Sequence, residues 1–176
     1  YKLPHGSIHE YFGKFYFGVD TLTKEQYEQS KQITFRLLYG NIDKEFLSIP
    51  FFKQVNSMIF DLWDKWKQQH YIETPILKRR LSAEHLKNMT ANKLFNYYLQ
   101  AIETEVSVQK LDKVQDILIG RTTCMILYTY DSILFDIPLS EAKYVLPDIK
   151  NVLESGEFPV KCKVGNIYSK MKTILL

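Results

Sequence analysis

Three residues at four-residue spacing form one candidate site in the sequence. Lys31, Phe35 and Tyr39 fall at i, i+4 and i+8 of a segment with helical apolar periodicity, so they share one stripe of a helix. A lysine and two aromatic rings on one exposed face could contact a phosphate and a flat nucleobase together. The pattern alone favours a plainer interpretation, in which a surface lysine lies beside two core aromatics.

A second candidate is Asp131, which lies between two apolar, strand-like segments, 123–130 and 133–137. A carboxylate at the tip of a rigid hairpin is well placed to hold Mg²⁺, because this cation prefers oxygen ligands and often uses only one or two protein carboxylates. Aspartate is also favoured in tight turns, where its side chain bonds to the local backbone, and the pattern alone favours that role.

The elements that position these residues follow from periodicity and capping signals. Predicted helices lie within 1–20 and over 24–39, 50–69, 91–108 (with a second helix or a continuation over 109–118) and 140–155. Predicted strands cover 71–74 and 76–78, as a hairpin around Pro75, then 123–130, 133–137 and 160–164. Thr23 and Ser140 are the expected N-caps, and Gly18 the expected end of the first helix. Helices followed by hairpin strands predict an α+β fold with an antiparallel sheet.

Composition narrows the class of protein. The chain has 176 residues, 45% of them apolar, and a formal net charge of +3, which excludes a disordered tail. Cys124 and Cys162 form no metal-ligand motif, so neither structural zinc nor a disulfide scaffold is expected. No apolar run approaches 18 residues, so neither a membrane partner nor a membrane span is expected.

Several segments resemble the motifs of family A DNA polymerases. Residues 31–40, Lys-Gln-Ile-Thr-Phe-Arg-Leu-Leu-Tyr-Gly, resemble motif B, a Lys followed at fixed spacing by Phe or Tyr and by Tyr-Gly. Residues 127–138 resemble motif C, in which Tyr130, Asp131 and Ser132 stand where the family usually has His-Asp-Glu. Weaker matches, in the family's order, are Ser7-Ile8-His9, Tyr71-Ile-Glu-Thr with Arg79 and Arg80, Asn96 and Gln100 with Glu105, and Val164-Gly165-Asn166.

The resemblance implies a fold and roles for single residues. It implies a fingers-like helical region over 1–90, with the motif B helix and a hairpin at about 70–81, and a palm-like region over 91–176. Lys31 would contact the nucleotide triphosphate and act on the leaving pyrophosphate, Phe35 would pack on the sugar and disfavour 3′-deoxy analogues, and Tyr39 would stack beside a base. The remaining residues would contact primer-template DNA. Asn96 and Gln100 would do so in the minor groove, and Arg79 and Arg80 at the phosphate backbone.

The resemblance also implies two-metal nucleotidyl transfer, in which Asp131 binds one of two Mg²⁺ ions. The second essential carboxylate belongs to motif A, and no such segment precedes Ser7. The expected partners are therefore primer-template DNA, deoxynucleoside triphosphates, and an upstream part of the same polymerase or a separate chain that supplies motif A and the thumb. These residues alone are expected to be inactive, and the expected setting is the cytoplasm of a bacterium or phage-infected cell.

Departures from the family pattern keep a second interpretation open. Tyr130 and Ser132 replace the usual His and Glu, and Tyr27 stands where an Arg usually precedes the motif B Lys. These changes also fit a non-catalytic nucleic-acid-binding or replisome subunit with a degenerated polymerase fold. A third interpretation is an unrelated α+β domain whose matches arise by chance.

Overall fold

The structure is a computed structural model that describes residues 7–129, 132–155 and 159–174. Its helices are α1 (Ile8–Phe17), α2 (Lys24–Tyr39), α3 (Pro50–Gln69), α4 (Ala91–Leu118) and α5 (Leu139–Glu154). Its strands are β1 (Tyr71–Glu73), β2 (Arg80–Ser82), β3 (Cys124–Thr129), β4 (Ser132–Asp136), β5 (Cys162–Val164) and β6 (Lys172–Ile174). In the described ranges the strands pair as three antiparallel hairpins, β1–β2, β3–β4 and β5–β6, which confirms the α+β class.

The chain forms two compact units, Tyr1–Ile102 and Glu103–Leu176. The division falls inside α4. This helix runs without a break from Ala91 to Leu118, whereas the sequence analysis left open whether one helix or two cover these residues. None of the helices in the described ranges is long and apolar enough to span a bilayer.

An aromatic core joins α1, α2 and α3 in the first unit. Phe12, Leu37 and Phe52 are fully buried, and the rings of Phe12 and Phe52 lie 4.9 Å apart. Gly13 allows α1 to approach α2 closely, because a Cβ at this position would collide with the Leu22 side chain, which precedes α2, and lie only 3.0 Å from Ser30 Oγ of α2. The buried face of α2 is therefore fixed against its neighbours, which leaves the opposite face at the surface.

Local capping explains why the first helices begin and end where the sequence predicts. Thr23 accepts a hydrogen bond from the Gln26 amide, and the Gln26 side chain accepts one from the Thr23 amide, which completes a capping box. Gly18 ends α1 in the left-handed conformation at φ 64°, as its position predicts. Pro50 occupies the first turn of α3, where its missing N–H removes no helical bond.

The β1–β2 hairpin corrects the sequence prediction, because its second strand is Arg80–Ser82 rather than 76–78. The Thr74 amide donates to the Arg79 carbonyl at 3.0 Å, and the Arg79 amide donates to Thr74 Oγ1 at 2.9 Å. These bonds close a loop over 74–79 in which Lys78 adopts φ 57°. A loop of this kind depends on side-chain bonding, which strand propensity does not reveal.

The second unit has a small core between α4 and α5. Val114, Leu118, Val145 and Ile149 are buried there, and Phe135 of β4 packs against them. The prediction that Ser140 is the N-cap of α5 is wrong, because the helix begins at Leu139, directly after Pro138, and has no side-chain cap. The last predicted strand, 160–164, is shorter in the structure and pairs with β6, a strand that the sequence analysis did not predict.

Candidate functional site

The outward face of α2 carries the predicted stripe of Lys31, Phe35 and Tyr39. Phe35 is 48% exposed and Tyr39 49% exposed, so both rings lie at the surface and not in the core. The two rings stack with centroids 6.1 Å apart and an interplanar angle of 25°. Such a pair presents two aromatic faces on which a sugar or a base could pack.

Lys31 is held by residues one turn earlier on the same helix. Its Nζ donates to Glu28 Oε1 at 3.0 Å and lies 4.9 Å from the centre of the Tyr27 ring. The pair is partly exposed, so the interaction is weak and reversible. A phosphate that approached Lys31 would therefore compete with Glu28 for the ammonium group.

His9 lies beside this stripe, although the sequence analysis gave it no role of its own. Its ring centroid is 5.2 Å from that of Phe35 and 6.3 Å from that of Tyr27. Burial and the positive charge of Lys31 lower the pKa of His9, while Glu28 acts in the opposite direction. His9 Nδ1 is buried and has no hydrogen-bond partner among the described residues. The imidazole is therefore neutral near pH 7.

Nothing local in the sequence distinguishes His9 from an ordinary half-buried histidine. It reaches the stripe because Ser30 of α2 donates a hydrogen bond to the His9 carbonyl at 2.5 Å, which fixes α1 against α2. Packing between two residues that lie 21 positions apart in the sequence therefore creates this contact. Only the match of residues 7–9 to a polymerase segment could have pointed to it.

Asn96 of α4 lies at the end of the stripe. Its side-chain amide donates to the Tyr39 carbonyl at 2.9 Å, and its Oδ1 is buried without a partner among the described residues. One turn later on the same helix, Gln100 is exposed. The structure thus brings Asn96 to the end of α2, together with Lys31, Phe35 and Tyr39 within the first unit.

The two predicted backbone-binding arginines differ in their surroundings. Arg80 Nε donates to Glu73 Oε1 at 2.8 Å, and its guanidinium lies 4.7 Å from the Tyr71 ring centre. The hydrogen bond and the charge of Glu73 raise the pKa of Arg80. Arg79 is exposed, and its backbone closes the loop with Thr74. Arg80 is thus engaged within its own hairpin.

The predicted metal ligand, Asp131, lies outside the described residues, as does Tyr130. Next to them, Thr129 Oγ1 and Ser132 Oγ share a hydrogen bond of 2.6 Å. Within the described ranges no group of three or more His, Cys, Asp or Glu side chains could hold a metal ion.

No family model matches the chain, and no curated protein matches it. Among solved structures, it is similar to the POL domain of Pol1 from M. smegmatis in complex with DNA primer-template and dNTP, with a TM-score of 0.68 and 18% sequence identity. The match covers 88% of this chain and 32% of that chain, so these residues span about a third of the length of the solved structure. The chain therefore has a polymerase-like fold.

Proposed function

We propose that this chain is a fingers-and-palm segment of a family A DNA polymerase, which adds deoxynucleotides to a primer 3′ end on a template. The observation that carries the proposal is the similarity of 88% of the chain to a polymerase domain. The motif B and motif C resemblances, which come from residues far apart in the sequence, point to the same class of enzyme.

In this proposal the outward face of α2 receives the incoming nucleotide. Lys31 exchanges its bond to Glu28 for a bond to the triphosphate, since a phosphate group carries more negative charge than the carboxylate. Phe35 packs on the sugar and Tyr39 stacks beside a base, which suits their half-exposed rings. Neutral His9 beside Phe35 supplies a further hydrogen-bonding group at this face.

DNA contacts are proposed for the surrounding residues. Asn96 and Gln100 contact minor-groove acceptors of the primer-template, positions that A·T and T·A pairs share. Arg79 contacts the DNA backbone, and Arg80 does so only by giving up its bond to Glu73. Asp131 would bind Mg²⁺ together with a motif A carboxylate from an upstream or partner segment. The proposed setting is the cytoplasm.

Primer extension by the natural polypeptide that contains these residues, with any partner chain that copurifies, tests the proposal. We expect Lys31→Ala to reduce the rate about 100-fold or more, the effect of removing one group that stabilises developing charge. The matched control Lys65→Ala, an exposed lysine of α3, keeps the wild-type rate. Asp131→Ala should abolish extension, and a rate within a few-fold of wild type would reject its role.

A second readout comes from Phe35. If its ring packs on the nucleotide sugar, Phe35→Tyr should increase incorporation of 3′-deoxy analogues while extension with ordinary nucleotides continues. Unchanged discrimination would show that the sugar does not bind at this ring.

The alternative is a non-catalytic nucleic-acid-binding or replisome subunit. The hydroxyl pair of Thr129 and Ser132 favours it, because Ser132 stands where the family usually has a carboxylate and already bonds to its neighbour. Salt-dependent binding of primer-template DNA without nucleotide binding or extension would identify this alternative.

A further inference from the structure

The β5–β6 hairpin and its flanks, residues 159–174, carry an excess of positive charge. We call this segment the basic hairpin. It contains four lysines and no acidic residue: Lys161, Lys163, Lys170 and Lys172. Without it, the chain has 19 basic against 20 acidic residues, so the formal net charge of +3 arises from this hairpin. Placement of charge, more than its total, determines which ligands a surface attracts.

The strand register places two of these lysines, Lys163 and Lys172, on opposite faces of the hairpin. Lys163 pairs with Thr173, and Lys172 pairs with Val164 at the next position along the ladder. Directly paired residues share a face and successive residues alternate, so Lys163 and Lys172 point to opposite faces. All four lysines are exposed, and within the described residues none of them forms an ion pair.

The hairpin is anchored at its base and exposed at its turn. The Val160 amide donates to Glu154 Oε1 at 3.4 Å, which connects the hairpin to the end of α5. Gly165 lies so close to Met171 that a Cβ would come within 3.0 Å of the Met171 Cα. At the turn, Ile167 is 54% exposed and Tyr168 is 67% exposed. The result is a narrow two-stranded ribbon with cations along its sides and an aromatic ring near its tip.

We propose that the basic hairpin binds the phosphate backbone of duplex nucleic acid. The major groove of B-DNA, about 12 Å wide, admits a two-stranded ribbon, and phosphates line both of its edges. Cations on both faces of the ribbon match that arrangement, whereas a flat anionic surface would contact only one face. Lysine contacts to phosphate carry no sequence information, so the binding is independent of sequence.

This inference rests on the proposed function only for the choice of DNA as the ligand. It adds a DNA contact in the second unit to the contacts proposed at α2 and its surroundings. The test uses the whole chain and fluorescence anisotropy with a blunt, random-sequence duplex, without nucleotide or Mg²⁺. We expect K161Q/K163Q/K170Q/K172Q to weaken binding about tenfold or more at low salt. The dependence of log K on log salt should also fall by about 0.9 for each lysine that leaves a phosphate.

Two variants separate this role from general charge and from misfolding. K44Q/K53Q/K65Q/K87Q removes four exposed lysines elsewhere and should bind nearly as well as wild type. Replacing the four hairpin lysines with arginine should keep both the affinity and the salt dependence. Equal affinities of the two glutamine variants would overturn the proposal, as would binding to phosphatidylserine vesicles or to single strands in preference to duplex. The assay contains no template overhang, nucleotide or Mg²⁺, so it measures binding and not polymerisation. A chain that cannot polymerise can therefore still confirm the inference, and an active polymerase can still contradict it.

Discussion

Helix α2 and the β3–β4 hairpin carry the two sets of residues that the sequence marked for chemistry, and they are stabilised in different ways. Helix α2 is capped at its start and buries Ser30, Thr34 and Leu37 against its neighbours. The hairpin has only two strands, and most residues of β3 are exposed. The hairpin is attached through Phe135 of β4, which packs on the α4–α5 core.

A polar contact supplements that packing at the start of β3. Glu141 of α5 accepts hydrogen bonds from the amides of Thr122 and Thr123, at 2.8 and 2.9 Å, and from the Thr123 hydroxyl at 2.6 Å. An isolated two-stranded hairpin is marginally stable in water, so such contacts matter more for the hairpin than for a packed helix. The face of α2 is thus held by apolar burial, whereas the β3–β4 hairpin combines the packing of Phe135 with one carboxylate at the start of β3.

The largest expected effect is on the aromatic core behind α2. Phe52 is fully buried between α1, α2 and α3, so Phe52→Ala should lower the free energy of unfolding by about 3–5 kcal/mol. Phe60→Ala is the matched control on the same helix, because Phe60 is 54% exposed and its loss should change stability by about 0.5 kcal/mol or less. Urea denaturation measures both, and equal losses would show that burial does not hold α2 in place.

The same contrast explains what the sequence could predict. The bounds of α2 and α3 were predicted correctly because a capping box, a first-turn proline and apolar periodicity are all local signals. Strand β6 was missed because Lys172–Ile174 is short and polar, and its strand character arises from pairing with β5. Strand β2 was misplaced because Thr74 closes the preceding loop through a side-chain bond.

The candidate site divides in a similar way. Spacing alone placed Lys31, Phe35 and Tyr39 on one helical stripe, since four-residue spacing fixes their alignment. The contacts of His9 with Phe35 and of Asn96 with Tyr39 were not predictable from local patterns, because they require α1 and α4 to meet α2 in three dimensions. The functional roles of all these residues stay predictions for the experiments above.

A smaller effect is expected at the carboxylate that holds β3. Hydrogen bonds from Thr123 and Thr122 lower the pKa of Glu141 to about 2 from an ordinary value of 4.5. The ionised form is favoured in the folded state, so its contribution to stability is present above pH 4.5 and is lost as the pH falls towards 2. Glu141→Gln should remove that pH dependence and speed amide exchange at Thr122 and Thr123, with a smaller stability loss than Phe52→Ala.

Glu154→Gln on the same helix serves as the control for Glu141. We expect it to leave exchange at Thr122 and Thr123 unchanged, because Glu154 bonds to Val160 instead. Hydrogen exchange followed by NMR at pH 6 and below distinguishes the two variants. Unchanged protection of β3 in Glu141→Gln would mean that packing of Phe135 alone holds the hairpin.

The smallest expected effect concerns the charges on the α2 face. Lys31 lowers the pKa of His9 and Glu28 raises it, so Lys31→Gln should raise that pKa and Glu28→Gln should lower it. Each change removes one partly exposed i, i+3 ion pair, so the free energy of unfolding should change by only about 0.5 kcal/mol or less. NMR titration of His9 measures the opposite shifts. Shifts of the same sign would contradict the charge arrangement, whereas opposite shifts at nearly constant stability would show that the α2 face can be retuned without disturbing the core behind it.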